Sequence, residues 1–178
     1  LRSMAYFIPL FLLISCKNHH HPDKKIFRYN EFTGIASLDP AFAKDQSTIW
    51  SCNQLYNSLV QLDDNLNIQP SVASSWETSE DGKTYTFHLR TDVLFHDNEC
   101  FEGGKGRAVK AADVVYSLSR IIDKKTASPG AWIFNNSVDT VEPFKALDDS
   151  TFQLKLQKPF PPMLGIISMQ YCSVIPQE

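Results

Sequence analysis

The sequence contains none of the short motifs that identify common hydrolases and nucleotide-binding proteins. It has no G-x-S-x-G segment, which presents a serine nucleophile, and no H-E-x-x-H segment, which binds zinc. The glycine-rich residues 103–106 lack the G-x-x-x-x-G-K-[ST] spacing that cradles phosphate groups. We therefore expect no enzymatic activity, no catalytic residue and no nucleotide or other cofactor.

Side chains that bind metal ions are few and far apart. Three of the five histidines form the run 19–21, and consecutive histidines on a flexible tether lack the fixed geometry of a metal site. Cys52, Cys100 and Cys172 fit no zinc-ligand spacing. They leave two states open, namely one disulfide with a free thiol or three reduced cysteines. We expect no specific metal site.

The chain has neither a surplus of basic residues nor a long hydrophobic run. Its net charge of −3 and isoelectric point near 5.9 argue against a nucleic-acid partner, which favours a basic surface. The longest apolar run, over residues 5–14, is about half of the roughly 20 residues that a membrane-spanning helix needs. Its length instead suits the hydrophobic region of a signal peptide.

The end of this run predicts a lipid anchor. Leu13-Ile14-Ser15-Cys16 matches a bacterial lipobox, and the polar residues 17–25 that follow suit a tether. We expect residues 1–16 to be a lipoprotein signal peptide, with Cys16 as the lipid-attachment residue of an exported protein. Several acyl chains would hold it on a membrane, since a single chain binds only marginally. The alternative is a buried N-terminal strand or helix in which Cys16 belongs to the core.

The most regular pattern in the chain predicts a β-hairpin. Tyr85, Phe87 and Leu89 alternate with polar residues, as in a strand with one buried face. Before them, residues 80–83 suit a turn because Gly82 can adopt a positive φ, and residues 75–78 suit the partner strand. On pattern alone, such a hairpin belongs to no particular class of globular protein.

Other segments predict helices and further strands, and hence a mixed α/β fold. With 43% hydrophobic residues, the chain can bury a core. One predicted helix starts at the N-cap Ser47, and a second covers Ala111–Ile122. A third, short helix is predicted over residues 163–169. The first helix carries an apolar stripe of Ile49, Cys52, Tyr56, Leu59 and Val60, and the second carries Val114, Leu118, Ile121 and Ile122. Predicted strands cover residues 26–32, 140–144 and 151–156.

Several motifs in a fixed order resemble the family 5 extracellular solute-binding proteins, which are the oligopeptide-, dipeptide- and nickel-binding receptors of ABC importers. They are Pro-x-x-Ala-x-Ser-Trp-Glu from Pro70, Asp-Gly-Lys-x-Tyr-x-Phe-x-Leu-Arg from Asp81, Phe-His-Asp from Phe95, and the helix around Asp113. The resemblance covers roughly residues 26–178. It implies a periplasmic-binding-protein-like fold of class II. It also implies a non-enzymatic receptor on the periplasmic face of a bacterial membrane.

The resemblance also implies where a ligand binds. In peptide-binding members, the loop after Leu38-Asp39-Pro40 runs along the bound peptide, which places contacts on Lys44, Asp45 and Gln46. The family's oligopeptide receptor has an acidic residue where this chain has Lys44, which suits a carboxylate or phosphate better than an amine. An aromatic residue that reaches the ligand falls on Gly130, and Trp132 could substitute for it, although core packing is the favoured role for Trp132.

The same resemblance implies a division into parts. Residues 26–56 begin lobe I, 57–175 form the family's extra α+β domain, and 176–178 return towards lobe I, so we expect an amino-terminal fragment. The expected function is a lipid-anchored receptor that captures peptides or a similar small solute and delivers them to ABC permease subunits. One alternative is a truncated surface lipoprotein that makes protein contacts without transport. A receptor for nickel or another small solute is a further alternative.

Overall fold

The computed structural model describes residue 28 and residues 30–178. The chain divides into two compact units, Leu1–Asn30 and Glu31–Glu178. The predicted signal peptide over residues 1–16, with Cys16, and the tether over 17–25 lie outside the described residues. The predicted strand over 26–32 is wrong for its described part, since Arg28 and residues 30–32 adopt no strand.

The second unit is built on a four-stranded antiparallel sheet, and its strand order is β3-β4-β6-β5. The strands are β3 (Ala73–Thr78), β4 (Thr84–Leu89), β5 (Phe144–Ala146) and β6 (Thr151–Lys155). A separate two-stranded sheet pairs β1 (Val60–Leu62) with β2 (Ile68–Pro70). The α-helices of the described residues are α1 (Gln46–Leu55), α2 (Ala111–Ile122) and α3 (Met163–Ile167).

The predicted hairpin is confirmed by the pairing of β3 with β4. Gly82 has a φ of 68°, and its N–H closes the turn on the Ser79 carbonyl oxygen at 2.8 Å. Tyr85, Phe87 and Leu89 are buried, as their alternation predicts. The Phe87 ring lies 6.0 Å from the Phe152 ring of β6, so aromatic side chains link the central strands of the sheet.

Helix α2 has the predicted bounds, Ala111–Ile122, and packs against β5 and β6. Val114, Leu118 and Ile121 are buried, but Ile122 is 37% exposed, so its place in the stripe is wrong. The predicted short helix is confirmed as α3. No helix in the described part of the chain is long and apolar enough to cross a membrane.

Several predicted boundaries are wrong. The N-cap of α1 is Asp45, not Ser47, and Val60 belongs to β1 beyond the end of the helix. The strand predicted over 140–144 starts only at Phe144, because the Asp139 carboxylate accepts the N–H groups of residues 141 and 142 at 2.9 Å in a turn. The family resemblance also implies a return strand over residues 173–176, but these residues form no strand.

Candidate functional site

The loop that carries the predicted ligand contacts begins with a side chain that shapes it. The Asp39 carboxylate accepts a hydrogen bond from the Ala41 N–H at 3.0 Å and caps a 3₁₀ turn over Pro40–Phe42. Ala41 and Ala43 are buried, which holds this turn on the core. We call residues 39–46 the contact loop.

An ion pair ties the contact loop to α2. The Arg120 guanidinium donates from Nη1 to Asp39 Oδ1 at 2.9 Å and from Nη2 to Asp39 Oδ2 at 2.5 Å. Hydrogen bonding to Arg120 lowers the pKa of Asp39, and the same bond raises the pKa of Arg120. The guanidinium also lies 5.8 Å from the centre of the Tyr116 ring. Sequence reasoning missed this pair, since no local pattern links two residues so far apart in the chain.

At the end of the contact loop, Asp45 starts α1. Its Oδ1 accepts the Thr48 N–H at 3.0 Å and the Ser47 hydroxyl at 2.7 Å, as an N-cap residue does. These bonds, with the Thr48 N–H as the largest cause, lower the pKa of Asp45. A predicted ligand contact therefore also has a structural role, which engages Oδ1 of its carboxylate.

A cavity of about 330 Å³ adjoins the start of α1. It brings together two predicted contacts, Asp45 and Gln46, with Trp50 and the segment before the contact loop. Lys44 directly precedes these residues and is exposed, while Gly130 and Trp132 do not line the cavity. The remaining lining residues are Glu31, Thr33, Gly34, Ala36 and Ser47.

Ser128 joins the second predicted contact segment, residues 130–132, to the contact loop. Its buried hydroxyl donates to the Ala41 carbonyl oxygen at 2.5 Å and accepts the Gly130 N–H at 3.0 Å. Gly130 packs against the Tyr171 ring, where a Cβ atom would lie 2.5 Å from Cδ1. Trp132 is 60% exposed, so the expectation of core packing is wrong for it. The fold thus holds residues 130 and 132 on one segment fastened to the contact loop.

Tyr171 is a further residue that the sequence did not single out. Burial is the main cause that raises its pKa, and the negative charge of Asp45 adds to the effect. The ring packs on Gly130, and the 3₁₀ turn Gln170–Cys172 that carries Tyr171 contacts both the Pro40–Phe42 turn and α1. An aromatic residue late in the chain gives no signal of such a position.

No metal-binding cluster of three His, Cys, Asp or Glu side chains occurs in residues 28 and 30–178. The histidine run 19–21 lies outside this part of the chain. Cys52 and Cys172 are buried and Cys100 is exposed, and all three are free thiols. Burial raises the pKa of Cys172 far above its ordinary value, which keeps this thiol protonated.

Comparison with known proteins identifies the family. The family model described as "Bacterial extracellular solute-binding proteins, family 5 Middle" matches residues 67–178. The chain belongs to this family. It is 37% identical to the dipeptide-binding protein of Escherichia coli over 134 residues, which is 70% of this chain and 24% of that protein. It is 30% identical to the probable deoxycholate-binding periplasmic protein YgiS of Escherichia coli over 172 residues, 89% of this chain and 31% of that protein.

Solved structures agree with this assignment. The ABC transporter-associated periplasmic binding protein DppA from Helicobacter pylori, in complex with the peptide STSA, is similar with a TM-score of 0.68 and 32% identity. The similarity covers 80% of this chain and 29% of DppA. The expected mixed α/β fold of a class II periplasmic binding protein is therefore confirmed. Family 5 solute-binding proteins are non-enzymatic receptors, which agrees with the expectation of no catalysis. This chain spans about a quarter to a third of the length of the curated relatives it matches.

Proposed function

We propose that this chain is part of the substrate-binding protein of an ABC importer, which captures peptides or a similar small solute and delivers them to permease subunits. The proposal rests on the hydrogen bonds that hold the two predicted contact segments together. Ser128 links residue 130 to the contact loop, and Arg120 links α2 to the same loop. A ligand that touches both segments would meet a surface already held in place, which reduces the ordering cost of binding.

Binding of this kind is reversible and needs no covalent step. An extended peptide would be held mainly through its backbone, as in strand addition, so side chains of different sizes could be accepted. The contacts proposed from the family's pattern are Lys44, Asp45, Gln46, Gly130 and Trp132. Gly130 is buried against Tyr171, and its N–H and carbonyl oxygen already bond to Ser128 and Ile133, so it would act by holding the segment close to Tyr171. The exposed indole of Trp132 could stack on a ligand.

Isothermal calorimetry on the full gene product tests this function. We expect saturable heat with a short peptide such as Ala-Trp-Ala and a weaker response with deoxycholate or nickel ions. Binding of deoxycholate alone would move the ligand class towards that of the YgiS relative, and binding of nickel alone would support the nickel alternative. A soluble folded protein that binds none of the three would contradict the proposal.

We also propose that the protein is exported and lipid-anchored through Cys16. The support is the lipobox Leu13-Ile14-Ser15-Cys16 and the periplasmic names of relatives such as YgiS. Palmitate labelling should be present in the wild-type protein and absent after Cys16→Ala, and globomycin should block processing. Labelling that survives Cys16→Ala would rule out this anchor.

A further inference from the structure

The turn between β3 and β4 contains a pair of residues that can rearrange chemically. Asp81-Gly82 is the only Asp-Gly or Asn-Gly dipeptide in the sequence. In such a pair the backbone nitrogen of the glycine can attack Cγ of the aspartate, because glycine has no side chain that keeps the two groups apart. Asp81 is exposed, so water reaches the reacting groups. The dipeptide is therefore a candidate modification site that receptor function does not explain.

The reaction joins two groups of the chain and releases one water molecule. The Gly82 nitrogen bonds to Asp81 Cγ, and the hydroxyl group of the protonated carboxyl leaves as water with the proton of that nitrogen. Water then opens the resulting five-membered ring at either carbonyl carbon. Opening at the backbone carbonyl carbon gives isoaspartate, in which the main chain runs through the side chain of Asp81 and is longer by one methylene group. No oxidant or cofactor takes part, and the mass of the protein is unchanged.

The folded turn engages both of the reacting groups. The Gly82 N–H donates to the Ser79 carbonyl oxygen at 2.8 Å, which occupies the attacking nitrogen. Asp81 Oδ1 accepts the Ser79 hydroxyl at 2.6 Å and the Lys83 N–H at 3.1 Å. These bonds favour the ionised carboxylate, which has no hydroxyl group to lose as water. They lower the pKa of Asp81, and the bond from Ser79 is the largest cause.

The turn is also held by contacts on either side of the dipeptide. The Ser79 hydroxyl accepts the Thr84 N–H at 2.9 Å, and the Ser79 N–H donates to the Thr84 carbonyl oxygen at 2.9 Å. Gly82 packs on Pro159, where a Cβ atom at residue 82 would lie 3.2 Å from the Pro159 Cβ. These contacts restrict the backbone rotation that would bring the Gly82 nitrogen to Asp81 Cγ.

We propose that Asp81-Gly82 is a latent isoaspartate site that Ser79 keeps unreactive in the folded protein. The unfolded chain lacks these hydrogen bonds and samples many backbone conformations, so the attack proceeds there. The added methylene group would lengthen a turn that sets the register of β3 against β4, so a modified chain would refold to a less stable hairpin. The inference requires no ligand and is independent of the receptor function.

Prolonged warm incubation of the full gene product at neutral pH tests the proposal, in buffer and in denaturing guanidinium chloride. Tandem mass spectrometry that distinguishes aspartyl from isoaspartyl peptides measures the conversion at residue 81. We expect slow conversion in the folded protein and much faster conversion in denaturant. Folded Ser79→Ala should convert about fivefold faster than the wild type, the scale of one lost hydrogen bond.

Matched variants assign the protection to the Ser79 hydroxyl. Ser79→Thr keeps a hydroxyl and should convert as slowly as the wild type. Ser150→Ala removes a similar bond, which the Ser150 hydroxyl donates to Asp148 Oδ1 at 2.9 Å. Asp148 is followed by Asp149 instead of glycine, so this variant should gain no isoaspartate at residue 148.

Three results would overturn the inference. The first is equal conversion at residue 81 in the folded and the denatured wild-type protein, and the second is no conversion in denaturant. The third is a Ser79→Ala variant that circular dichroism shows to be folded and that converts no faster than the wild type.

Discussion

At the scale of single residues, Asp39 determines the geometry of the contact loop. Its carboxylate caps the 3₁₀ turn and pairs with Arg120, so one group fixes both the shape of the loop and its attachment to α2. Both partners are partly buried, which makes the pair less screened than one on an open surface.

Replacement of Asp39 should therefore lower the free energy of unfolding, by an amount that depends on pH. Asp39→Asn should lower the free energy of unfolding by about 2 kcal/mol near pH 7, because Arg120 loses its partner. The pKa of Asp39 is lowered from its ordinary value of 3.8, so its contribution is present above that value and is lost as the pH falls through the lowered pKa. Urea unfolding at several pH values measures the difference. Asp64→Asn, at an exposed position, is the control. A cost of Asp39→Asn that does not shrink in acid would contradict this account.

Leu66 is a residue whose backbone conformation disfavours its side chain. It has a φ of 63° in the β1–β2 turn and is 75% exposed, so its side chain buries little and meets the steric cost of the left-handed region. Leu66→Gly should raise the free energy of unfolding by about 0.5–1 kcal/mol. Thermal unfolding measures this. Leu62→Gly, in the neighbouring strand, should instead destabilise, and equal losses from both changes would disprove the strain at Leu66.

At the scale of elements, prediction from sequence succeeded where the pattern is local and repeated. The alternation of residues 84–89 and the apolar stripe of α2 each repeat within one element, so their bounds followed from periodicity. The start of α1 did not follow from periodicity, because Asp45 and Ser47 are both good N-cap residues and only the folded chain decides between them. The strand before β6 was misplaced because the Asp139 turn competes with pairing.

The candidate site was predictable only in part for the same reason. The positions 44–46 and 130–132 came from a resemblance, and their joining depends on contacts between distant segments. Ser128 bonds to Ala41, and Tyr171 fills the space beside Gly130. Neither contact has a sequence pattern, since each joins residues from different elements.

Arg107, which lies just before α2, links Asp113 of that helix to Glu178. All of its N–H groups are used: its guanidinium forms a fork with Asp113 at 2.7 Å, a second fork with Glu178 at 2.7 and 2.8 Å, and a bond to the Ala108 carbonyl oxygen. The rings of Phe95 and Phe101 lie 5.3 and 5.8 Å from it. Asp113 is only 3% exposed, so loss of Arg107 would leave a buried carboxylate without this counter-charge.

Loss of Arg107 should accordingly destabilise the fold strongly. Arg107→Met should lower the free energy of unfolding by about 3 kcal/mol, because a buried carboxylate loses its counter-charge. Arg90→Met removes a fork of the same type from Asp92, but that pair is exposed, so its loss should cost much less than the loss of Arg107. Denaturant unfolding of both variants compares the two. Equal costs would show that burial of Asp113 does not decide the effect.

At the scale of the whole molecule, the proposed function places one firmly held surface of this chain in the ligand site of a longer receptor. Relatives bound to ligand, such as the DppA complex with STSA, are about three times longer than the matched region. We therefore expect this surface to form part of a ligand site rather than all of it. In this proposal, the two contact segments are the part of the site that this chain would supply.

Hydrogen–deuterium exchange of the full gene product, with and without the peptide Ala-Trp-Ala, tests this central claim most directly. The account predicts that the peptide slows exchange in residues 39–48 and 128–134 together, because both segments contact the ligand. Exchange in β3 and β4 should stay unchanged, since that hairpin lies outside the proposed site. Protection of the hairpin, with none in the two contact segments, would contradict the placement of the site.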